Sequence, residues 1–218
     1  MEESKACEGC RGECGKESNR YFQPRLNEAG RLELVPCGKG AKLPYGTRLD
    51  KEYERTRAND VAIRIGRWYI KERPQKSLYI FGGTGTGKTF LASLIARHFD
   101  DVIFLDVVSL LGEIKRTFNG QGSSSELIKK YSECGMLVLD DLGAGYSTEW
   151  SANVLYQIIN NRYVHGRRLI ITSNYDLTEL ETRLKVKDDD YTATRIISRL
   201  HEMSVVSYLG ERDRRCPS

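Results

Sequence analysis

The sequence predicts an α/β fold, a parallel sheet sandwiched by helices, with a small cysteine-rich module ahead of it. Three observations lead there. Short, unbroken apolar runs recur at 77–81 (SLYIF), 102–106 (VIFLD), 136–140 (MLVLD), 168–173 (RLIITS) and 204–209 (SVVSYL), and runs of this length mark strands buried on both faces. Amphipathic segments separate them, the alternation that builds parallel crossover units. Cys7, Cys10, Cys14 and Cys37 crowd into the first forty residues, where apolar periodicity is missing.

At roughly 150 residues per domain, 218 residues hold one full core and an appendage. A hydrophobic fraction of 39%, a charged fraction of 29% and only 5 prolines exclude collagen-like, mucin-like and wholly disordered chains. No apolar run approaches the roughly 18 residues of a membrane span. The opening MEESKACEGC is acidic and polar, unlike a secretory signal. A cytoplasmic location with no membrane partner is expected.

Residues 1–46 read as a module for recruiting a partner, too poor in apolar residues to fold without a metal or a docked protein. The spacing Cys7-x-x-Cys10 lets two thiolates reach one tetrahedral Zn²⁺, with Cys14 and Cys37 as singly standing third and fourth ligands. A reducing compartment disfavours disulfides. An iron-sulfur cluster on the same thiolates, or a tail with incidental cysteines, is the alternative.

Residues 47–76 form a basic amphipathic linker. A helix is expected over 50–72, with Val61, Ala62, Ile65, Trp68 and Tyr69 on one face and Pro74 ending it. Residues 51–76 hold eight basic and four acidic side chains in a chain whose net charge is only +4. Such a stretch can face a phosphate backbone, although an ordinary solvated helix has the same composition. The core, 77–218, alternates its strands with helices expected at 88–98, 107–118, 124–133, 148–164 and 191–202, and loops at 119–125 and 185–191.

Gly82-Gly83-Thr84-Gly85-Thr86-Gly87-Lys88-Thr89 matches G-x-x-x-x-G-K-[ST], follows a strand and opens a helix. The glycines let backbone N–H groups curl round phosphates, and the helix N-terminus adds partial positive charge. Lys88 suits the β- and γ-phosphates of ATP, and the Thr89 hydroxyl suits Mg²⁺. A dinucleotide fold is excluded because the glycines do not fall as G-x-G-x-x-G. MLVLD delivers Asp140 and Asp141 to the C-terminal edge of its strand, where ligands bind in open α/β sheets. Asp140 is placed to hold the magnesium and Asp141 to orient or deprotonate water. RLIITS ends in Asn174, a neutral amide at the same edge, suited to that water or to the γ-phosphate.

GGTGTGKT, LVLDD followed by LG, ITSNY and the late TRIISRL together resemble the AAA+ ATPases of the DnaC/DnaI helicase-loader and IstB family, over about 55–215. The resemblance implies a P-loop AAA+ core and ATP-dependent self-assembly. It implies that Arg199 is an arginine finger for a neighbouring subunit, with Arg195 one turn earlier as the competitor. The family tail reads approximately G-x-S-Y-R, from which Gly210-Glu211-Arg212-Asp213-Arg214 departs in the third and fourth places. Arg214 is therefore the expected second sensor arginine, with Arg212 or Arg215 as substitutes. Many AAA+ enzymes carry Glu where Asp141 stands one methylene shorter, so slow hydrolysis is expected. With only a short run after the last strand, no helical lid is expected, and closure is expected to fall to subunit contacts.

Loaders of this family resemble one another in an insertion before the carboxylate strand that touches single-stranded DNA. Here it is 107–133, offering Lys115, Arg116, Phe118, Lys129, Lys130 and Tyr131, a mixture of cations and rings suited to phosphates and stacked bases. Three functions follow. The first is an ATP-dependent loader that carries the replicative DNA helicase onto single-stranded DNA. The second is an IstB-like helper that coats duplex DNA and recruits a transposase. The third is a P-loop kinase or GTPase unrelated to DNA. No N-K-x-D guanine motif is present, and the cysteine module favours the loader.

Overall fold

In the computed structural model, residues 21–26, 32–37, 60–120, 122–145, 147–186 and 190–211 are described. Strands β1 (Tyr21–Leu26) and β2 (Leu32–Cys37) pair antiparallel with Tyr21 opposite Cys37 and Leu26 opposite Leu32. Sequence periodicity did not point to this hairpin inside 1–46. Helix α1 is Asp60–Glu72; residues 50–59 of the expected helix lie outside the described residues.

The core runs β3 (Ser77–Phe81), α2 (Lys88–Ala96), β4 (Val102–Asp106), α3 (Val107–Arg116), a 3₁₀ turn (Thr117–Asn119), α4 (Ser124–Glu133), β5 (Met136–Asp140), α5 (Glu149–Val164), β6 (Arg168–Ser173), α6 (Leu177–Leu184), α7 (Asp190–Met203) and β7 (Ser204–Tyr208). The sheet order is β4-β5-β6-β3-β7, parallel throughout. Strand β6 thus separates the strand of the glycine loop from the strand of the two aspartates. No helix among the described residues is long and apolar enough to cross a membrane.

Period-two alternation sends strand side chains to opposite layers. Leu78, Ile80, Met136, Val138 and Ile170 pack under α1 and α2, and Tyr79, Leu137, Leu139, Leu169 and Ile171 pack under α3 to α7. Helix α1 corrects the expected face. Ala62, Ile63, Gly66 and Tyr69 are buried, while Val61 and Trp68 are 53% and 40% exposed. Gly66 decides the rotation: a Cβ there would lie 3.3 Å from both Leu91 Cδ1 and Ile95 Cδ1, so the bare position lets the two helices close up.

Helix α6 was missed by the sequence reading. Asp176 caps it, its carboxylate accepting from Thr178 and Glu179 amides while Glu179 returns to the Asp176 amide. Helix α4 is fastened from below. The fully buried Arg162 donates to the carbonyls of Tyr131 (2.9 Å), Ser132 (3.2 Å), Cys134 (3.0 Å) and Arg168, and to Cys134 Sγ (3.3 Å).

Candidate nucleotide site

Between β3 and α2 the chain turns through 82–87, with φ of 146° at Gly82 and 96° at Gly87, a region open mainly to glycine. Gly83 donates its amide to Gly210 O at 2.8 Å, so the loop is sewn to the chain leaving β7. Thr84 is exposed, and Thr86 is buried with its hydroxyl on Gly83 O at 2.9 Å. Gly85 also has positive φ. Lys88 begins α2 and is buried. Its ammonium donates to Gly82 O (2.9 Å), Gly83 O (2.7 Å) and Asn174 Oδ1 (2.7 Å).

The two aspartates arrive on the far side of β6. Asp140 Oδ2 accepts from Thr89 Oγ1 at 3.1 Å, and Asp140 Oδ1 accepts from Thr172 Oγ1 at 2.5 Å. Asn174 Nδ2 reaches Asp141 Oδ1 at a long 3.4 Å. Asp141 has φ 58°, left-handed backbone that costs an L-residue about 1–2 kcal/mol. Burial pushes the Asp140 carboxyl above the usual carboxylate range, against the Thr172 and Thr89 hydrogen bonds that favour ionisation, and the Asp141 and Asp106 charges add to the rise. Magnesium takes hard oxygen ligands and keeps several waters. A hydroxyl and a partly buried carboxylate converging at 3.1 Å fit that ion.

Lys88, Thr89, Asp140, Asp141 and Asn174 therefore meet at one sheet edge, as their sequence positions predicted. Arg195 and Arg199 stand elsewhere, on α7 against α5. Arg195 lies over the rings of Tyr156 (4.1 Å) and Tyr191 (5.4 Å); Arg199 lies over Tyr163 (4.9 Å) and donates from Nε to Asn160 Oδ1 at 3.1 Å. Arg212, Arg214, Arg215, Cys7, Cys10 and Cys14 lie outside the described residues, and for Cys37 only the backbone is described, at the end of β2. Among the described residues no group of three or more His, Cys, Asp or Glu could hold a metal.

In the 107–133 region Lys115, Arg116, Lys129 and Lys130 are exposed and Phe118 is 61% exposed, edge-on to Trp150 at 5.7 Å. Tyr131 corrects its expected role. It is 1% exposed with its hydroxyl on Glu113 Oε2, so its ring is core and offers no face to a base. Phe118, Ile128, Lys129, Trp150, Tyr156 and Asn160 line part of a groove of about 840 Å³ between α4 and α5.

The sheet order, the loop and the paired aspartates define a P-loop protein of the AAA+ type. The chain belongs to the IstB-like ATP binding protein family, whose model matches residues 41–216. It is similar to the replicative helicase loader DnaC of Buchnera aphidicola, 31% identical over 113 residues, covering 49% of this chain and 46% of the relative. It is also similar to an ATP-binding protein of insertion sequence IS232 from Bacillus thuringiensis, 30% identical over 142 residues, covering 63% of this chain and 55% of that one. The chain spans about half the length of the curated relatives it matches. The crystal structure of DnaI shares the fold, with a TM-score of 0.66 at 24% identity over 77% of this chain and 95% of the other.

Two side chains at the site, Thr172 and Ser173, and two that hold Arg199, Asn160 and Tyr163, had no place in the sequence analysis. Thr172 and Ser173 look like strand residues, yet hydroxyls in an otherwise apolar strand, just before Asn174, were a usable signal. Asn160 and Tyr163 gave none, because a helix surface full of amides and rings has no distinctive spacing.

Proposed function

We propose that the chain is an ATPase, converting ATP and water to ADP and phosphate, that assembles with its own copies when ATP is bound and loads the replicative DNA helicase onto single-stranded DNA. The observation that carries the catalytic part is the line from Lys88 through Asn174 to Asp141 at 2.7 and 3.4 Å, which links the phosphate-binding lysine to the candidate base. The loop 82–87, whose Gly83 amide is taken by Gly210 O, holds the phosphates with its remaining amides and the N-terminus of α2, and Lys88 turns its donors to the β and γ oxygens. Thr89 and Asp140 hold Mg²⁺, which when bound neutralises charge on those oxygens. Asp141 accepts the proton of the attacking water while Asn174 orients it. The short Asp141 side chain makes turnover slow.

Arg199 serves the nucleotide of the neighbouring protomer, and Arg214, or Arg212 or Arg215, answers from the tail. Residues 1–46, holding Zn²⁺ through Cys7, Cys10, Cys14 and Cys37, recruit the helicase; 47–76 link them to the ATPase core, 77–218. Lys115, Arg116, Phe118, Lys129 and Lys130 follow the DNA strand beside the α4–α5 groove. The chain acts in the cytoplasm. The similarity to helicase loaders supports this reading. The family match and the insertion-sequence relative support a second, a transposition helper that coats duplex DNA and recruits a transposase.

One reconstitution separates them. Full-length protein, ATP and the host's hexameric helicase are mixed with circular single-stranded DNA. ATP-dependent deposition of helicase on the circle is the expected result, lost after treatment with a zinc chelator. ATP-dependent coating of duplex DNA with capture of a transposase, and no helicase binding, establishes the second reading.

A further inference from the structure

Thr172 lies one residue from the end of β6 and is 1% exposed. Its hydroxyl works in both directions, donating to Asp140 Oδ1 at 2.5 Å and accepting from the Asp141 amide at 2.9 Å. The Thr172 carbonyl accepts from the Leu142 amide at 2.8 Å, and Ser173 Oγ donates to Leu142 O at 2.6 Å. Four hydrogen bonds thus tie three consecutive residues of the aspartate loop to two of β6.

Strand packing alone has no use for a hydroxyl at this depth, where a buried polar group is costly unless partnered. The partners chosen are informative. A carboxylate is nearly free to turn about its last torsion, and engaging Oδ1 leaves Oδ2 on the side of Thr89. Asp141 has φ 58°, and its amide is held by the same oxygen that holds Asp140. We propose that Thr172 is the positioning residue of this site: it aims Asp140 Oδ2 at the magnesium position beside Thr89 and keeps Asp141 turned toward Asn174. This rests on the ATPase reading above.

The test is a magnesium titration of fluorescent ATP-analogue binding to full-length wild-type, Thr172→Val and Thr172→Ser proteins, with thermal melts alongside. Thr172→Val is expected to raise the Mg²⁺ concentration for half-saturation roughly tenfold, the effect of removing a group that orients a metal ligand. Its magnesium-free nucleotide affinity stays within about twofold, because the amide cradle is untouched. Thr172→Ser, which keeps the hydroxyl, follows the wild type. Should Thr172→Val not fold, Thr172→Cys, close to Ser in shape but a weak hydrogen-bonder, is expected to show the same tenfold displacement. Wild-type magnesium dependence in the Val or Cys protein overturns the proposal, as does equal impairment of Ser and Val, or parallel loss of magnesium-free binding. A wild-type protein that binds no nucleotide sinks the ATPase reading itself, a distinct result.

Discussion

The Gly83 amide donates to the Gly210 carbonyl at 2.8 Å, joining the phosphate loop to the chain that leaves the last strand. The first two glycines of the motif therefore answer to the tail as well as to a ligand. A Cβ on Gly82 would sit 2.5 Å from Gly210 O, and one on Gly83 would sit 2.7 Å from Glu211 O. Gly82→Ala and Gly83→Ala are expected to lose about 1–3 kcal/mol of stability by overpacking, read as a lower urea midpoint, before any nucleotide is added.

Asn174 bridges Lys88 and Asp141. Asn174→Ala should bind ATP within a few-fold of wild type and hydrolyse it about a hundredfold more slowly, the scale of losing one preorganised polar contact in a transition state. Equilibrium binding and single-turnover hydrolysis, measured together, check the split.

Arg199 rests on Tyr163 and Asn160 of its own protomer. Arg199→Ala is expected to cut ATPase turnover about a thousandfold, and Asn160→Ala, which only loosens the guanidinium, about tenfold. Mixing Arg199→Ala with Lys88→Ala protein should restore part of the turnover, since one supplies an intact phosphate loop and the other an intact finger. A mixture as inactive as its components removes Arg199 from a role across the subunit boundary.

Alkaline stability has an identifiable contributor. The Tyr69 hydroxyl is buried with no hydrogen-bond partner among the described residues, and burial pushes its phenol up to about 12, with Arg168 and Arg162 pulling the other way. An unfolded tyrosine titrates near 10. The native state thus keeps a proton that the unfolded chain releases, so this contribution is whole below about pH 10 and disappears as pH rises through about 12. Each such group tilts unfolding free energy by about 1.4 kcal/mol per pH unit across that window. Tyr69→Phe should match or exceed wild-type stability at pH 7 and fall less steeply between pH 10 and 12. Urea midpoints across that range provide the measurement.

All five core strands stand where the apolar runs SLYIF, VIFLD, MLVLD, RLIITS and SVVSYL place them, the last ending one residue earlier at Tyr208, because strands packed between helix layers need apolar side chains on both faces. The lysine, threonine and acidic ends of the site were legible for the same reason, each being pinned to a strand or helix terminus. What failed was local or non-local in a telling way. Helix α6 has apolar Leu177, Leu180 and Leu184 at spacings of 3 and 4 behind the Asp176 cap, a helix signature too short to stand out beside the polar residues around it. The face of α1 was legible in part: Ala62 and Tyr69 of the expected face are buried and Ile65 packs against the core, but Val61 and Trp68 are exposed and Ile63 and Gly66 take the buried side against α2. Tyr131 looked like a stacking ring until Glu113, eighteen positions away, took its hydroxyl. Thr172 gained meaning only once the sheet order set β6 beside the aspartates.

Arg162 shows how such an arrangement can outlast changes in its surroundings. Four of its five acceptors are main-chain carbonyls, which every amino acid supplies. Its grip is thus indifferent to which side chains decorate α4. Side chains on the outer surface of that helix can change without loosening its lower end, which stays tied through Arg162 to α5 and the start of β6.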